Sequence, residues 1–168
     1  MIMRRWFVML LGVLGAGLFA ASLAVAGIPA AYAPIVVMPV GAPQRYEFDL
    51  TAALSRAQRE GKRLYVYLGA DNCPYCRKYE AFLDRSAIEL TPHFAKDYLV
   101  VDLRSTLSAV ASRLYIRIGE VSLPYADFQR SIGDERARQL VYPSVWLLNG
   151  AAKPLMQMPA GAGTFPSS

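Results

Sequence analysis

The 168-residue chain has few side chains that serve metal sites or general-base chemistry, with two cysteines and one histidine. A tetrahedral zinc site needs about four Cys or His ligands, so the sequence argues against a zinc site within one chain. The single histidine, His93, is distant in sequence from both cysteines and is assigned no role. We therefore predict neither a metal nor another cofactor.

Runs of alternating basic and aromatic residues, typical of strand-binding grooves, are also missing. The formal net charge is +5, and basic and acidic residues are mixed along the charged part of the chain. Adjacent basic residues occur only in short pairs such as Arg77-Lys78. These features predict no nucleic-acid partner.

Charge is absent from the entire stretch between Arg5 and Arg45. Two basic residues, Arg4 and Arg5, precede an apolar run that extends from Trp6 to Ala26, which is the pattern of an export signal. Because that run approaches the ~20 apolar residues that cross a bilayer, a retained membrane anchor is the alternative to a cleaved signal.

Two small-x-small sites follow the apolar core of this segment, Ala24-Val25-Ala26 and Ala31-Tyr32-Ala33. The sequence favours cleavage after Ala33, which assigns residues 1–33 to a signal peptide or membrane anchor. Either form predicts a periplasmic protein, or one tethered by its N-terminus and facing the periplasm. The proline-rich residues 34–45 are interpreted as a linker or an early edge strand, and residues 46–168 as one domain.

Periodicity in residues 46–103 predicts alternating helices and strands. The predicted elements are a helix over 50–60, a strand over 64–68, a helix from Pro74 to about Asp84, a short helix over 88–94 and a strand over 98–103. A strand, a helix and a second strand in this order indicate a parallel crossover.

The remaining sequence predicts shorter elements. They are a hairpin of 114–118 with 121–123, a helix over 125–132, a capped helical turn over 134–140, and a hairpin of 145–148 with 156–158 joined through Asn149-Gly150.

Both cysteines, Cys73 and Cys76, lie at the start of the helix that follows the first buried strand. Such a pair can be a redox couple, half of a metal site or a structural disulfide. A two-residue loop removes little chain entropy, which disfavours the structural disulfide. A helix N-terminus stabilises negative charge, so we expect the thiolate of Cys73 to be favoured and Cys76, one turn inward, to be placed to resolve a mixed disulfide.

Three segments together resemble the thioredoxin superfamily: the strand LYVYLGA followed by DNCPYC, the helix RKYEAFL with the strand YLVVDL, and Tyr142-Pro143-Ser144 ahead of VWLL. The nearest likeness is to exported bacterial thioredoxin-like proteins of the type associated with sulfur oxidation. The resemblance implies an α/β thioredoxin-like fold, a central mixed sheet flanked by helices, with an insertion before the cis-proline segment. The C-terminal helix of that family has no matching sequence here, so we expect it to be missing. The resemblance also implies that Pro143 is cis and that Tyr142 faces the substrate.

Several positions depart from the usual thioredoxin pattern. Tyr67 occupies the position of the buried aspartate, Asn72 that of the tryptophan before the first cysteine, and Tyr142 that of the threonine before the proline.

The predicted function is an exported thiol:disulfide oxidoreductase that reduces protein or small-molecule disulfides in the envelope and is recharged by a membrane thiol electron donor. The catalytic residues would be Cys73 and Cys76, and the substrate-binding residues Pro74, Tyr75, Tyr142 and Pro143. One alternative is a non-catalytic thioredoxin-like module that binds Cu(I) or an envelope protein. A further alternative is a glutathione-dependent activity, with Arg77 or Lys78 as the carboxylate partner.

Overall fold

The structure is a computed structural model that describes residues 27–133 and 140–157. Its strands are β1 (Ile35–Val37), β2 (Tyr46–Asp49), β3 (Arg63–Asp71), β4 (Tyr98–Thr106), β5 (Leu114–Ile118), β6 (Val121–Pro124), β7 (Ser144–Leu148) and β8 (Pro154–Gln157). Its helices are α1 (Thr51–Glu60), α2 (Pro74–Arg85), α3 (Ala87–Asp97) and α4 (Tyr125–Ser131), with 3-10 turns at Ala30–Tyr32 and Ala111–Arg113.

A five-stranded mixed sheet in the order β1-β4-β3-β7-β8 forms the centre of the fold. Strands β1, β4 and β3 are mutually parallel, whereas β7 pairs antiparallel with both β3 and β8. Seven consecutive residues of β3, Leu64 to Ala70, are buried, because both faces of this central strand are covered. This strand order, with helices on both faces, is the predicted thioredoxin-like α/β fold.

A second sheet of three strands, in the order β2-β5-β6, packs beside the first. Strand β2 pairs parallel with β5, and β5 forms an antiparallel hairpin with β6. The hairpin and α4 lie between β4 and β7 in the chain, which is where the sequence predicts an insertion before the cis-proline. The hairpin and α4 therefore account for the described part of this insertion.

Two apolar clusters cover the two faces of the central sheet. One cluster joins α1, α4 and the second sheet to one face, where Val66 and Trp146 are fully buried. The other joins α2, α3 and the 3-10 turn at Ala30–Tyr32 to the opposite face, through Tyr67 and Tyr79. Because side chains alternate along a strand, neighbouring residues of β3 such as Val66 and Tyr67 belong to different clusters.

The predicted elements that fall within the described residues are present, with changes at their ends. Helix α1 starts at Thr51, whose N–H donates to Asp49 Oδ1 over 2.8 Å, and ends at Glu60, with Gly61 as its C-cap at φ +64°. Strands β3 and β4 each continue three residues further than predicted, because residues 69–71 stay paired with residues 104–106. The predicted helical turn over 134–140 and the proposed lack of a C-terminal helix fall largely or wholly outside the described residues.

The packed part of the chain begins earlier than the predicted start at Tyr46. Residues 34–45 are interpreted from the sequence as a linker or an early edge strand. Within them, residues 35–37 form the edge strand β1, which pairs with β4. Further upstream, Ile28 and Tyr32 are buried against α2 and α3, and the Tyr32 hydroxyl donates to the backbone oxygen of Leu83 over 2.8 Å. Within residues 27–133 and 140–157, no helix is both long and apolar enough to cross a membrane.

Candidate active site

The cysteine pair lies at the junction of β3 and α2, with Cys76 in the first turn of the helix. Asn72 adopts a left-handed conformation with φ +59°, which asparagine tolerates better than most residues, and this reverses the chain at the end of β3. Cys73 is the N-cap of α2, and Pro74 occupies the first helical position, where its missing N–H leaves no hydrogen bond unmade. The sequence therefore places Cys73 at the N-terminus of a twelve-residue helix, as predicted.

Cys73 and Cys76 form a disulfide, with their Cα atoms 5.2 Å apart. The backbone N–H of Cys76 donates to the Sγ of Cys73 over 3.1 Å. A donor aimed at this sulfur, together with the positive end of the helix dipole, would stabilise a thiolate at Cys73 once the disulfide is reduced.

The disulfide is enclosed by Ala70 and by the segment that precedes β7. Cys73 and Cys76 are 2% and 1% exposed, and the half-buried ring of Tyr142 packs against them. The Tyr142 hydroxyl lies 2.9 Å from Ser105 Oγ, at the end of β4, and burial raises the pKa of this phenol. Tyr142 therefore contributes to the enclosure of the cysteine pair.

Four of the six predicted site residues lie together in the structure. Cys73, Cys76 and Tyr142 are in one cluster, and Pro143 follows Tyr142 through a cis peptide bond, the geometry that the resemblance implies. The cysteine turn and the segment before β7 are thus adjacent, although about seventy residues separate them in the chain.

The other two predicted site residues, Pro74 and Tyr75, lie on the exposed surface at the start of α2. The Tyr75 side chain is 48% exposed, and the Lys78 ammonium lies 5.9 Å from its ring centre. Arg77 is exposed on the same helical turn. This surface adjoins the cysteine pair without covering it.

A largely buried group of charged and phenolic side chains, which sequence reasoning missed, lies behind the cysteines. The Tyr67 hydroxyl donates to Glu80 Oε1 over 2.8 Å, and Tyr67 is in register with Asp102 on the neighbouring strand. Arg104 Nε donates to Asp102 Oδ2 over 3.1 Å, and the backbone N–H of Ile28 donates to the same oxygen over 3.1 Å.

These side chains and Gly27 line a small, partly open pocket with a volume of about 10 Å³, which we call the acidic pocket. Burial raises the pKa of the Glu80 carboxyl, and the hydrogen bonds from Tyr67 and from the Gly27 backbone offset part of that rise. Burial also raises the pKa of the Asp102 carboxyl, against the opposing effect of Arg104. The pKa of Tyr67 is raised by burial and by the neighbouring Glu80 charge, so its hydroxyl remains a donor.

Two features of the sequence point to individual members of this pocket. Asp102 interrupts the otherwise apolar strand YLVVDL, and a charge inside a buried strand requires partners. Glu80 follows Cys76 by four residues, which places it one turn further along the same helix. Neither signal indicates that the two carboxyl groups share a pocket, because that depends on tertiary packing.

Metal ligands are not grouped in the described part of the chain. It contains no cluster of three or more His, Cys, Asp or Glu residues that could hold an ion. His93 is exposed on α3.

Comparison with known proteins shows a weak similarity to a solved structure. No protein-family model matches the sequence, and no curated protein matches it. Among solved structures, the chain is similar to the pneumococcal exposed lipoprotein thioredoxin from Streptococcus pneumoniae strain TIGR4, with a TM-score of 0.36 and 17% sequence identity. The match covers 66% of this chain and 82% of the other. Because this similarity is weak, the fold assignment rests on the strand order and the layers described above.

Proposed function

We propose that this chain is an exported thiol:disulfide oxidoreductase that reduces disulfides of envelope proteins. The observation that supports this most strongly is the Cys73–Cys76 disulfide at the N-terminus of α2, with the Cys76 N–H donating to Cys73 Sγ. That arrangement favours a thiolate at the first cysteine and keeps the second cysteine within reach of it.

The reaction transfers two electrons from the cysteine pair to the substrate. In the reduced protein, the Cys73 thiolate attacks one sulfur of a substrate disulfide, forming a mixed disulfide and releasing the other substrate sulfur as a thiolate that takes up a proton. The deprotonated Cys76 then attacks Cys73 Sγ, breaks the mixed disulfide and releases the second substrate thiolate. The substrate is reduced, and the protein is left with the Cys73–Cys76 disulfide.

The substrate would approach along the surface formed by Pro74, Tyr75 and the Tyr142-Pro143 segment. Tyr142 packs on the cysteine pair, so a substrate that reaches Cys73 must contact or displace its ring. The exposed Tyr75 offers an aromatic surface at the start of the helix that carries both cysteines. A protein substrate would therefore have contacts from two segments of the chain beside the reactive sulfur.

Continued turnover requires a source of electrons in an oxidising compartment. A membrane thiol donor would attack the Cys73–Cys76 disulfide by the same exchange chemistry, in the reverse direction, and return the pair to the dithiol. Export is supported by the charge-free stretch after Arg5, which has the composition of a signal or anchor.

Turnover of a model disulfide tests this function. The reduced protein should reduce the interchain disulfides of insulin in the presence of a thiol reductant, faster than the reductant alone, and C73S should be at background. Activity of C73S equal to that of the unmodified chain would contradict the proposal, as would the lack of any rate enhancement. Stoichiometric Cu(I) binding without disulfide turnover would instead support a metal-binding module.

A further inference from the structure

Gly27 lies at the acidic pocket, beside both of its carboxyl groups. Its backbone N–H donates to the Glu80 carboxylate, and the next backbone N–H, that of Ile28, donates to Asp102 Oδ2. Two carboxyl groups, one from α2 and one from β4, thus converge on successive backbone nitrogens at the start of the packed chain.

The acidic pocket is short of positive charge. When ionised, Glu80 and Asp102 carry two negative charges, and Arg104 supplies one positive charge. Asp71 lies at the exposed rim and adds no positive charge. Asp102 is 0% exposed, and its Oδ1 atom has no hydrogen-bond partner among the described residues. An unpaired buried carboxylate oxygen is costly, so the pocket is suited to receive another donor.

Only glycine fits at position 27. A Cβ atom there would lie 2.5 Å from Asp102 Oδ2 and 2.7 Å from an Arg104 guanidinium nitrogen. The φ of +143° at Gly27 is also a conformation that side chains other than glycine rarely adopt. The pocket therefore encloses the backbone at Gly27 closely.

The sequence places a peptidase site directly before Gly27. Ala24-Val25-Ala26 is a small-x-small motif whose scissile bond is Ala26–Gly27. Cleavage at the second motif, after Ala33, would remove Ile28 and Tyr32, which are 4% and 6% exposed and belong to the apolar cluster under α2 and α3. Packing therefore favours the first motif over the site that the sequence alone favours.

We propose that a membrane signal peptidase hydrolyses the Ala26–Gly27 bond and that the freed α-ammonium of Gly27 binds Glu80 and Asp102 in the acidic pocket. The oxygen of one water molecule bonds to the Ala26 carbonyl carbon as the C–N bond breaks, and both protons of that water end on the new amine. The products are the Ala26 carboxylate and the Gly27 ammonium, so the reaction needs no other reactant.

The ammonium supplies what the acidic pocket lacks. It brings a second positive charge and additional N–H donors to the two carboxyl groups. Processing thus completes an ion-pair network in the interior of the protein. The inference requires the export that forms part of the proposed function, but it does not require the redox activity.

The processed terminus is the first test. The full chain is expressed in a bacterium with its own export machinery, and the periplasmic and membrane fractions are purified and analysed by intact mass and N-terminal sequencing. A chain that starts at Gly27 is expected. A chain that starts at Pro34, or one that remains uncleaved, would overturn the proposal, whether or not the purified protein reduces insulin.

The protonation of the new terminus is the second test. The Gly27 α-amine of the processed protein is labelled by reductive methylation with ¹³C-formaldehyde. Its pKa is then measured by following the NMR signal of the labelled amine against pH. We expect a value above the ordinary range of about 7.7–8.0, and a shift back towards that range in E80Q. The control is E89Q, which neutralises an exposed carboxylate on α3. An ordinary amine pKa in the unmodified protein, or one that E80Q and E89Q affect equally, would contradict the ion pair.

Discussion

The hydroxyl of Tyr67 lies 2.8 Å from Glu80 Oε1, joining the central strand β3 to α2 one turn beyond Cys76. Tyr67 is fully buried and stacks on Tyr79, with ring centres 5.6 Å apart. Tyr67, to which the sequence resemblance assigns the position of the thioredoxin aspartate, is therefore itself bonded to a carboxylate. The acid that Tyr67 contacts belongs to the helix and not to the strand.

Removal of the Tyr67 hydroxyl should destabilise the protein. We expect Y67F to lower the free energy of unfolding by about 1–3 kcal/mol, because the partly buried Glu80 carboxylate loses a donor. Urea denaturation followed by circular dichroism measures the difference.

Tyr65 offers a matched control on the same strand face. Its buried hydroxyl has no hydrogen-bond partner in the described part of the chain, so Y65F removes no bond and should be neutral or slightly stabilising. Equal losses in Y67F and Y65F would show that the Glu80 contact contributes nothing to stability.

Substitution of each cysteine should separate the two chemical roles. C76S leaves the nucleophile but removes the resolving thiol, so it should accumulate a mixed disulfide with a substrate at Cys73. C73S should accumulate none. Non-reducing electrophoresis and mass spectrometry detect the adduct, and a stable adduct in C73S but not in C76S would reverse the assignment of nucleophile and resolving thiol.

The ring of Tyr142 should control access to the disulfide. Because Cys73 is only 2% exposed beneath it, Y142A should be reduced faster by a small thiol such as dithiothreitol. The same variant should have a higher KM for a peptide disulfide, since the substrate loses a contact surface. Y142F keeps the ring and loses only the bond to Ser105, so its reduction rate should stay near that of the unmodified protein. A similar rate of reduction for Y142A, Y142F and the unmodified protein would show that Tyr142 does not control access to the disulfide.

Glu47 should contribute stability that depends on pH. Hydrogen bonds from Ser122 and Arg45, together with Arg117, lower the pKa of Glu47 from 4.5 to about 2. A carboxyl group with a depressed pKa in the folded state stabilises the protein above its unfolded pKa. This contribution should therefore be lost as the pH falls from about 4.5 to about 2.

The variant E47Q isolates this contribution. Its unfolding free energy should be lower near neutral pH and should change less than that of the unmodified protein as the pH falls through this acidic range. The exposed Glu89 supplies the control substitution, E89Q. Parallel pH profiles for E47Q and the unmodified protein would contradict the assigned pKa.

Local patterns were sufficient to predict the order of the elements around the cysteines. The apolar strand before Cys73, the proline at the first helical position and the helical stripe in α2 are all properties of neighbouring residues. For the same reason, the hairpin of β5 and β6 could be predicted from its two short apolar runs around Gly119.

Contacts between distant residues could not be predicted in this way. The packed chain begins before Tyr46 because Ile28 and Tyr32 find apolar surface beside α2 and α3, which no local pattern reveals. The acidic pocket was missed because Asp102 and Glu80 lie on different elements, and only the packing of α2 on the sheet brings them both to the start of the packed chain. Such contacts depend on tertiary structure. In the sequence, the acidic pocket is visible only as the isolated charge of Asp102 within an apolar strand.

A redox titration of the Cys73–Cys76 pair tests the proposed disulfide exchange most directly. The protein is equilibrated in defined glutathione or dithiothreitol buffers, and the fraction of free thiol is measured by alkylation and mass spectrometry. We predict one reversible two-electron transition with a midpoint between about −270 and about −120 mV, the range that known thiol:disulfide oxidoreductases cover. A pair that shows no reversible transition at any buffer potential would contradict thiol:disulfide exchange as the function of this site.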